Sequence, residues 1–180
     1  KNWTEVIAYR KPVRIENLHL FANHLVAQER EGGLSQLEIV DLRTGKSHRV
    51  NFPEPTYALF GAANHDFDTN LFRYAYQSFV TPSSTYDYDM DAHTSTLKKQ
   101  LEVPGFDKTQ YTSERIWATA SDGVKVPISI VYKKSVDPHS GKNPLWLTAY
   151  GSYGAPSNAT FSAARLTMLD RGVVYALAHI

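Results

Sequence analysis

Short apolar and polar runs alternate through the first hundred residues and are separated by Gly, Pro, Ser and Asn turns. Runs such as NLHLFANHLVAQERE, LFRYAYQSFV and SSTYDYDMDA are typical of β-strands and hairpins. No convincing amphipathic helix interrupts the pattern between Pro12 and Val103. This part of the chain is therefore predicted to be all-β.

A weak internal repeat is visible within this region. The segment LEIVDLRTG at 37–45 ends in a turn, and YDYDMDAH at 86–93 repeats its pattern, so that Asp41 and Asp89 correspond, 48 residues apart. A period of this length with about four short strands per unit is typical of the blades of a β-propeller. The pattern predicts two blades, of which the first is incomplete.

The hydrophobic period changes after the segment VPGFD at 103–107. The sequence SERIWATASDGVKVPISIVYKK predicts two strands joined by a tight turn at Asp122-Gly123, because Asp-Gly supplies the positive φ that such a turn requires. Pro127 in the second strand favours a position at the edge of a sheet. The pattern places a domain junction between residues 103 and 111.

The last forty residues predict a strand, a helix and a second strand. The apolar run 145–149 lacks alternation, as expected of a strand buried on both faces of a parallel sheet. A turn with possible N-cap oxygens at 155–158 precedes a predicted helix over 160–171, which ends at Gly172. Residues 173–178 form the second strand, and a right-handed crossover makes a βαβ unit. The helical face that should pack on the sheet contains Phe161, Ala164 and Met168, with Leu169 beside them.

Composition excludes several classes of function. The 180 residues are 42% hydrophobic and 21% charged, which is ordinary for a globular protein, and 19 basic against 18 acidic residues give a net charge of +1. This balance indicates neither a nucleic acid nor an acidic membrane surface as partner. No apolar stretch approaches the roughly 20 residues that span a bilayer. The absence of cysteine excludes disulfides and a thiol nucleophile, and fits a reducing compartment.

Two acidic clusters resemble metal sites only superficially. His65, Asp66 and Asp68 fit a polar loop between strands better than a set of ligands. The aspartates within 86–93 imitate the start of a calcium loop, yet Ala92 stands where that loop needs glycine. The sequence predicts no metal site.

Tyr150 occupies the position at which α/β proteins usually do chemistry. It follows the predicted strand 145–149, and ligands of open α/β sheets bind outside the carboxyl ends of the strands. Its ring could donate a hydrogen bond to a substrate or could pack at the strand end, and position alone leaves both readings open. Ser152 does not fit a nucleophile elbow, because the spacing of Gly151 and Gly154 around it is wrong.

The residues around Tyr150 carry a family resemblance. PLWLTAYGSYGA followed by FSAARLTMLDRGVVYALAHI resembles the start of the hydrolase domain in the prolyl oligopeptidase family of serine peptidases, above all its oligopeptidase B branch. The match extends from Thr112 to Ile180, and more loosely back through a region that looks like the family's propeller. The resemblance implies an internal fragment in which 1–106 are the C-terminal blades of a β-propeller and 107–180 begin an α/β-hydrolase domain.

The resemblance also implies roles for individual residues. The Tyr150 hydroxyl corresponds to the family's side-chain donor to the oxyanion, whereas the catalytic Ser, Asp and His would follow beyond Ile180, so this segment alone should not hydrolyse peptides. Asn158 and Thr160 stand where the branch commonly has two aspartates that recognise a basic P2 side chain. Neither residue is charged, which puts a preference for paired basic residues in question.

The function implied by the resemblance is a serine endopeptidase that cleaves short peptides after Arg or Lys through an acyl-enzyme. The propeller would admit only short peptides, no metal or organic cofactor would be needed, and the protein would be a cytoplasmic monomer or weak dimer. Two alternatives remain: a prolyl-specific peptidase of the same family, and a non-catalytic propeller that binds protein partners. The strand, loop, helix and strand of 145–180 argue against the second alternative.

Overall fold

The structure, a computed structural model, describes residues 2–180, which contain twelve β-strands and one α-helix. The strands form three four-stranded sheets. Their bounds are β1 Val13–Leu20, β2 His24–Glu31, β3 Leu34–Asp41, β4 Ser47–Arg49, β5 Ala58–Gly61, β6 Leu71–Gln77, β7 Ser84–Asp89, β8 Thr94–Gln100, β9 Tyr111–Thr119, β10 Lys125–Lys133, β11 Leu145–Ala149 and β12 Val174–Ala178, with α1 at Ala163–Leu169.

The first two sheets are antiparallel meanders in which each strand pairs with the next, in the orders β1-β2-β3-β4 and β5-β6-β7-β8. Asp41 ends β3 and Asp89 ends β7, so the two residues do occupy equivalent places. The prediction that the first unit is incomplete is wrong, because it has four strands. Its last strand has three residues, too few to give a recognisable alternating pattern.

The two meanders face each other across a common core of aromatic and aliphatic side chains. Val26, Ile39 and Phe72 are at most 1% exposed, and the cluster continues through tyrosines of β6 and β7. At one border of this core, Asp91 lies 2.5 Å from Arg43 and 3.2 Å from His24 of the other sheet. Apolar burial thus joins the two sheets, and the charged cluster around Asp91 connects them at the border of the core.

The third sheet is mixed, with the order β11-β12-β10-β9, and only β11 and β12 within it are parallel. Pro127 therefore lies in an inner strand, and the prediction of an edge position is wrong. Its missing N–H removes one hydrogen bond at the end of the β10–β12 ladder, because N–H and C=O of a residue in an antiparallel strand point to the same side. On that side the Pro127 carbonyl accepts from the His179 amide, just beyond the last residue of β12.

The predicted burial of 145–149 on both faces is also wrong. β11 is the outer strand in the described chain, and Leu145 and Leu147 are 61% and 55% exposed. All five residues of β12, the inner member of the parallel pair, are buried. The continuous apolar pattern that indicated a buried strand therefore applies to β12.

The helix is shorter than predicted, at Ala163–Leu169 instead of 160–171. Ser162, not a residue of 155–158, is its N-cap and accepts from the Arg165 amide at 3.3 Å. Ala164 is exposed, so its predicted place in the packing face is wrong, whereas Leu169, predicted beside that face, is buried. Gly172 has a φ of +83°, consistent with its predicted role after the helix.

The third sheet packs against the connection between β6 and β7 of the second sheet. Phe79, in the connection after β6, is 2% exposed and meets the Tyr175 ring edge-on at 5.5 Å. Leu169 and Ala159 belong to the same buried cluster. No helix of residues 2–180 has both the length and the apolar character needed to cross a membrane.

Candidate active site

Tyr150 leaves the sheet directly after β11, at the carboxyl end of the parallel pair. The last paired residues are Ala149 and Ala178. Gly151 then passes so close to Ile180 that a Cβ would lie 2.7 Å from its Cγ1 and 2.9 Å from its carbonyl oxygen, so a larger residue would require this strand end to shift. Tyr150 is 50% exposed, so it is accessible to solvent at this edge of the sheet.

The tip of the loop that follows is a tight, exposed turn. The Ala155 amide donates to the Ser152 carbonyl at 3.1 Å. Tyr153 has a φ of +59° and is 98% exposed, and Gly154 has a φ of +65°. Ser152 lies in this exposed turn, well before α1 begins at Ala163, and not on a sharp turn that leads directly from a strand into a helix, which agrees with its rejection as a nucleophile.

Asn158 and Thr160 lie further along the same loop and are half-buried. The Asn158 carbonyl accepts from the Thr160 amide at 2.9 Å, and the Thr160 carbonyl accepts from Arg165 Nη1 at 2.8 Å. Tyr150 shares no hydrogen bond with either residue within the described chain. Their contact with a P2 side chain stays a prediction, and their observed contacts fix the loop backbone.

Two arginines of the first sheet contact this loop, and no sequence pattern predicts these contacts. Arg14 on β1 donates through Nη1 to the Gly154 carbonyl at 2.8 Å. Arg30 on β2 donates through Nη1 to Asn158 Oδ1 at 3.2 Å. These contacts join residues 140 and 128 positions apart, so no local pattern could have revealed them.

The buried side chain of His179 contacts the backbone of this loop. It is 7% exposed, Nε2 lies 2.7 Å from Ser129 Oγ, and Nδ1 lies 3.1 Å from the Ser157 carbonyl. A neutral ring that donates from Nδ1 and accepts at Nε2 satisfies both partners. Burial, helped by the charge of Arg115, lowers the pKa of His179 to about 4. His179 is therefore neutral at pH 7 and serves as a fixed support.

Comparison with known proteins identifies the family to which this chain belongs. A family model described as the N-terminal beta-propeller domain of prolyl oligopeptidase matches residues 1–101. Dipeptidyl aminopeptidase BI of Pseudoxanthomonas mexicana is 40% identical over the whole chain, and Protease 2 of Moraxella lacunata is 31% identical over 97% of it. The chain spans about a quarter of the length of these relatives, 25% of each.

A solved structure shows the same fold. Oligopeptidase B from Trypanosoma brucei, in a closed form with covalently bound antipain, matches 97% of this chain and 26% of its own, with a TM-score of 0.84 and 33% sequence identity. The first two sheets are thus antiparallel blades of a β-propeller. The chain belongs to the prolyl oligopeptidase family of serine peptidases, and it is one segment of such a protein.

Proposed function

We propose that the protein containing this chain is a serine endopeptidase of the oligopeptidase B type, which hydrolyses short peptides after Arg or Lys. The observation that carries the proposal is the place of Tyr150, half-exposed at the carboxyl end of a parallel strand, in a chain whose relatives are peptidases. Peptide bond hydrolysis by a serine enzyme proceeds through an acyl-enzyme, and each tetrahedral intermediate carries an oxyanion.

In this proposal the Tyr150 hydroxyl donates a hydrogen bond to that oxyanion. The donor stabilises the transition state more than the ground state, because negative charge develops on the oxygen only as the nucleophile attacks. The close approach of Gly151 to Ile180 fixes the strand end from which the phenol projects. The nucleophile, the base and the orienting carboxylate would come from elsewhere in the whole protein.

We also propose that the two parts of the chain belong to two domains with different roles. Residues 107–180 would begin the α/β-hydrolase domain, which the parallel pair β11–β12 and the crossover helix α1 support. Residues 1–106 would be propeller blades that restrict access to short peptides. The cytoplasmic location, the lack of a cofactor and the monomeric or weakly dimeric state remain predictions from the sequence.

The P2 preference follows from uncharged residues at 158 and 160. Asn158 already accepts a hydrogen bond from Arg30, and no carboxylate is available at either position to bind a basic P2 side chain. We therefore expect substrates with one basic residue before the scissile bond to be cleaved about as well as substrates with two.

The test uses the full-length protein and matched short peptides with Arg, Lys or Pro before the scissile bond. Tyr150→Phe should lower kcat by roughly two to three orders of magnitude with a smaller effect on KM, because it removes one oxyanion donor. Tyr153→Phe is the matched control, since this phenol lies three residues away and is fully exposed. An unimpaired Tyr150→Phe enzyme would contradict the catalytic role, and a preference for Pro would favour a prolyl-specific peptidase.

A second candidate is release of dipeptides from a free N-terminus. The 40% identity to a protein named dipeptidyl aminopeptidase favours it. Substrates with an Arg at the second position, compared with a free and with a blocked N-terminus, distinguish the two activities. Faster cleavage of the free-amine substrate would select the exopeptidase, and equal cleavage would select the endopeptidase.

A further inference from the structure

The loop from Tyr150 to Asn158 receives two guanidinium donors from one corner of the first blade. Arg14 holds the Gly154 carbonyl at 2.8 Å and Arg30 holds the Asn158 side chain at 3.2 Å. Both donors lie outside the sheet from which the loop emerges. The path of the loop is therefore fixed by the propeller as well as by its own sheet.

The loop needs such external support. Residues 151–155 are exposed, and Tyr153 and Gly154 both have positive φ values. A non-glycine residue in this region of φ is strained by about 1 kcal/mol or more, and such strain persists only where surrounding contacts enforce it. A shift at Gly154 would be transmitted over four residues to Tyr150.

The two arginines lie side by side although their charges repel, which argues that their positions serve the contacts with the loop. They are direct neighbours across β1 and β2, in the pair Arg14–Arg30, and like charges at this spacing repel. Glu16 offsets the repulsion through a two-point contact with Arg30, at 2.6 and 3.1 Å. The register of β1 shifts at this point, so Glu16 lies at a bulge, a device that redirects side chains and is frequent near active sites.

We propose that Arg14 and Arg30 are positioning residues that hold Tyr150 in its catalytic geometry when the first blade is seated on the loop. The inference rests on the proposed oxyanion role of Tyr150 and adds to it a dependence on the propeller. Neither arginine touches the substrate in this arrangement. Each acts through a hydrogen bond to the loop that carries the phenol.

The test is a double-mutant cycle in the full-length protein, with a blocked single-residue Arg amide as substrate. Arg14→Ala should lower kcat about tenfold and change KM less than about twofold, because a small misplacement of a catalytic group slows the chemical step. In the Tyr150→Phe background the same substitution should change kcat less than about twofold, because no phenol remains to be positioned. Multiplicative effects of the two substitutions would overturn the proposal.

Four further variants separate positioning from general destabilisation. Arg14→Lys should restore kcat to within about threefold of wild type, since an ammonium also donates to a carbonyl. Glu16→Gln should lower kcat less than Arg30→Ala, because Arg30 is retained without its orienting partner. Arg73→Ala removes a comparable two-point contact, with Asp87 at 2.6 and 2.8 Å in the second blade, and should leave kcat unchanged.

The outcomes distinguish this inference from the proposed function. An impaired Tyr150→Phe enzyme together with an unimpaired Arg14→Ala enzyme overturns the positioning role alone. Full activity in Tyr150→Phe overturns the oxyanion role and the positioning role that rests on it. A fall in kcat for Arg73→Ala equal to that for Arg14→Ala would also overturn the positioning role.

Discussion

At the scale of single residues, His179 illustrates how a titratable group can be used for its neutral form. Its two nitrogens hold Ser129 and the Ser157 carbonyl, on either side of the strand end that precedes Ile180. The positive charges of Arg115 and Arg30 act with burial to keep the ring unprotonated. A protonated ring could not accept the Ser129 hydrogen bond, so the support depends on pH.

The stability of the third sheet should therefore fall as the pH is lowered. The pKa of His179 is depressed from 6.5 to about 4 in the folded protein, so the unfolded state binds the proton more tightly. The stabilisation is complete above pH 6.5 and is lost as the pH falls toward 4. Between pH 7 and pH 5 the expected loss is about 2 kcal/mol. Urea unfolding at both values checks it.

His179→Gln is the control for this pH dependence, because an amide does not titrate in this range. Between pH 7 and pH 5, the free energy of unfolding of this variant should change by about 2 kcal/mol less than that of the wild type. Equal pH dependence in the two proteins would show that other groups are responsible.

A second residue-scale contact involves the turn between β2 and β3. Gly32 and Gly33 have φ values of +55° and +84°, and a Cβ on Gly33 would lie 2.6 Å from the Cβ of His179. The Arg115 side chain donates to the Gly32 carbonyl. The tip of this hairpin therefore packs closely against His179, at the end of β12, which contacts the loop that follows Tyr150.

Gly33→Ala should destabilise the protein more than Gly45→Ala. Both positions have positive φ, but a Cβ on Gly45 meets nothing within 4 Å. Backbone strain of about 1 kcal/mol is common to both substitutions, and the collision with His179 should add about 1–3 kcal/mol at Gly33. Thermal or urea unfolding of the two variants measures the difference. Equal losses would mean that the hairpin can move away from His179 freely.

At the scale of elements, the local pattern predicted most of the strands but not their neighbours. The alternation in 84–89 and the Asp-Gly turn at 122–123 are properties of adjacent residues, and both elements are found. The status of β11 as an outer strand and of β10 as an inner strand depends on which segments pair at long range. A sequence pattern does not contain that information, so the positions of Pro127 and of 145–149 were predicted wrongly.

The start of α1 shows the same limit. Residues 160–162 have a helix-compatible pattern, yet they lie outside the helix and take part in hydrogen bonds with other residues. The Phe161 amide donates to Gln77 Oε1, a residue at the end of β6, at 3.1 Å. The Arg165 side chain folds back onto the Thr160 carbonyl. One long-range and one local hydrogen bond therefore accompany a helix start three residues later than predicted, whereas the position of Gly172 follows from its own backbone preference.

The same distinction explains what could be predicted of the candidate site. Tyr150 could be singled out because it follows an apolar run directly in the sequence. Arg14, Arg30 and His179 could not, because their roles arise only when distant segments meet. The resemblance to a known family implies a role for Tyr150, which stays a prediction, but it does not indicate the arginines that contact its loop.

At the scale of the whole molecule, one buried aromatic side chain links the second blade to the third sheet. Phe79 packs on Tyr175, and the Arg165 guanidinium stands over both rings, at 4.9 and 4.1 Å from their centres. Nearby, Lys108 pairs with Glu54 at 2.6 Å across the connection between the two parts. The two parts of the chain are therefore joined by apolar packing flanked by charge.

Phe79→Ala should loosen this junction. Removal of a fully buried phenylalanine costs about 3–5 kcal/mol, and the cavity would lie between the blade and the third sheet. Phe60→Ala, at a β5 position that is 37% exposed, should cost much less. Limited proteolysis should then cut Phe79→Ala faster within the connection 101–110. Equal cleavage rates for the two variants would contradict a linking role for Phe79.

The span of the Arg14–Gly154 contact has a consequence for the order in which the molecule acquires its structure. Each blade is a series of hairpins between neighbouring segments, and such local pairings form early. The contact between Arg14 and Gly154 closes a loop of 140 residues and cannot form until the blade and the third sheet are both in place. During synthesis the arginines leave the ribosome long before the loop that they hold. In the full-length protein, the proposed peptidase activity should therefore appear later on refolding than the β-structure recovers.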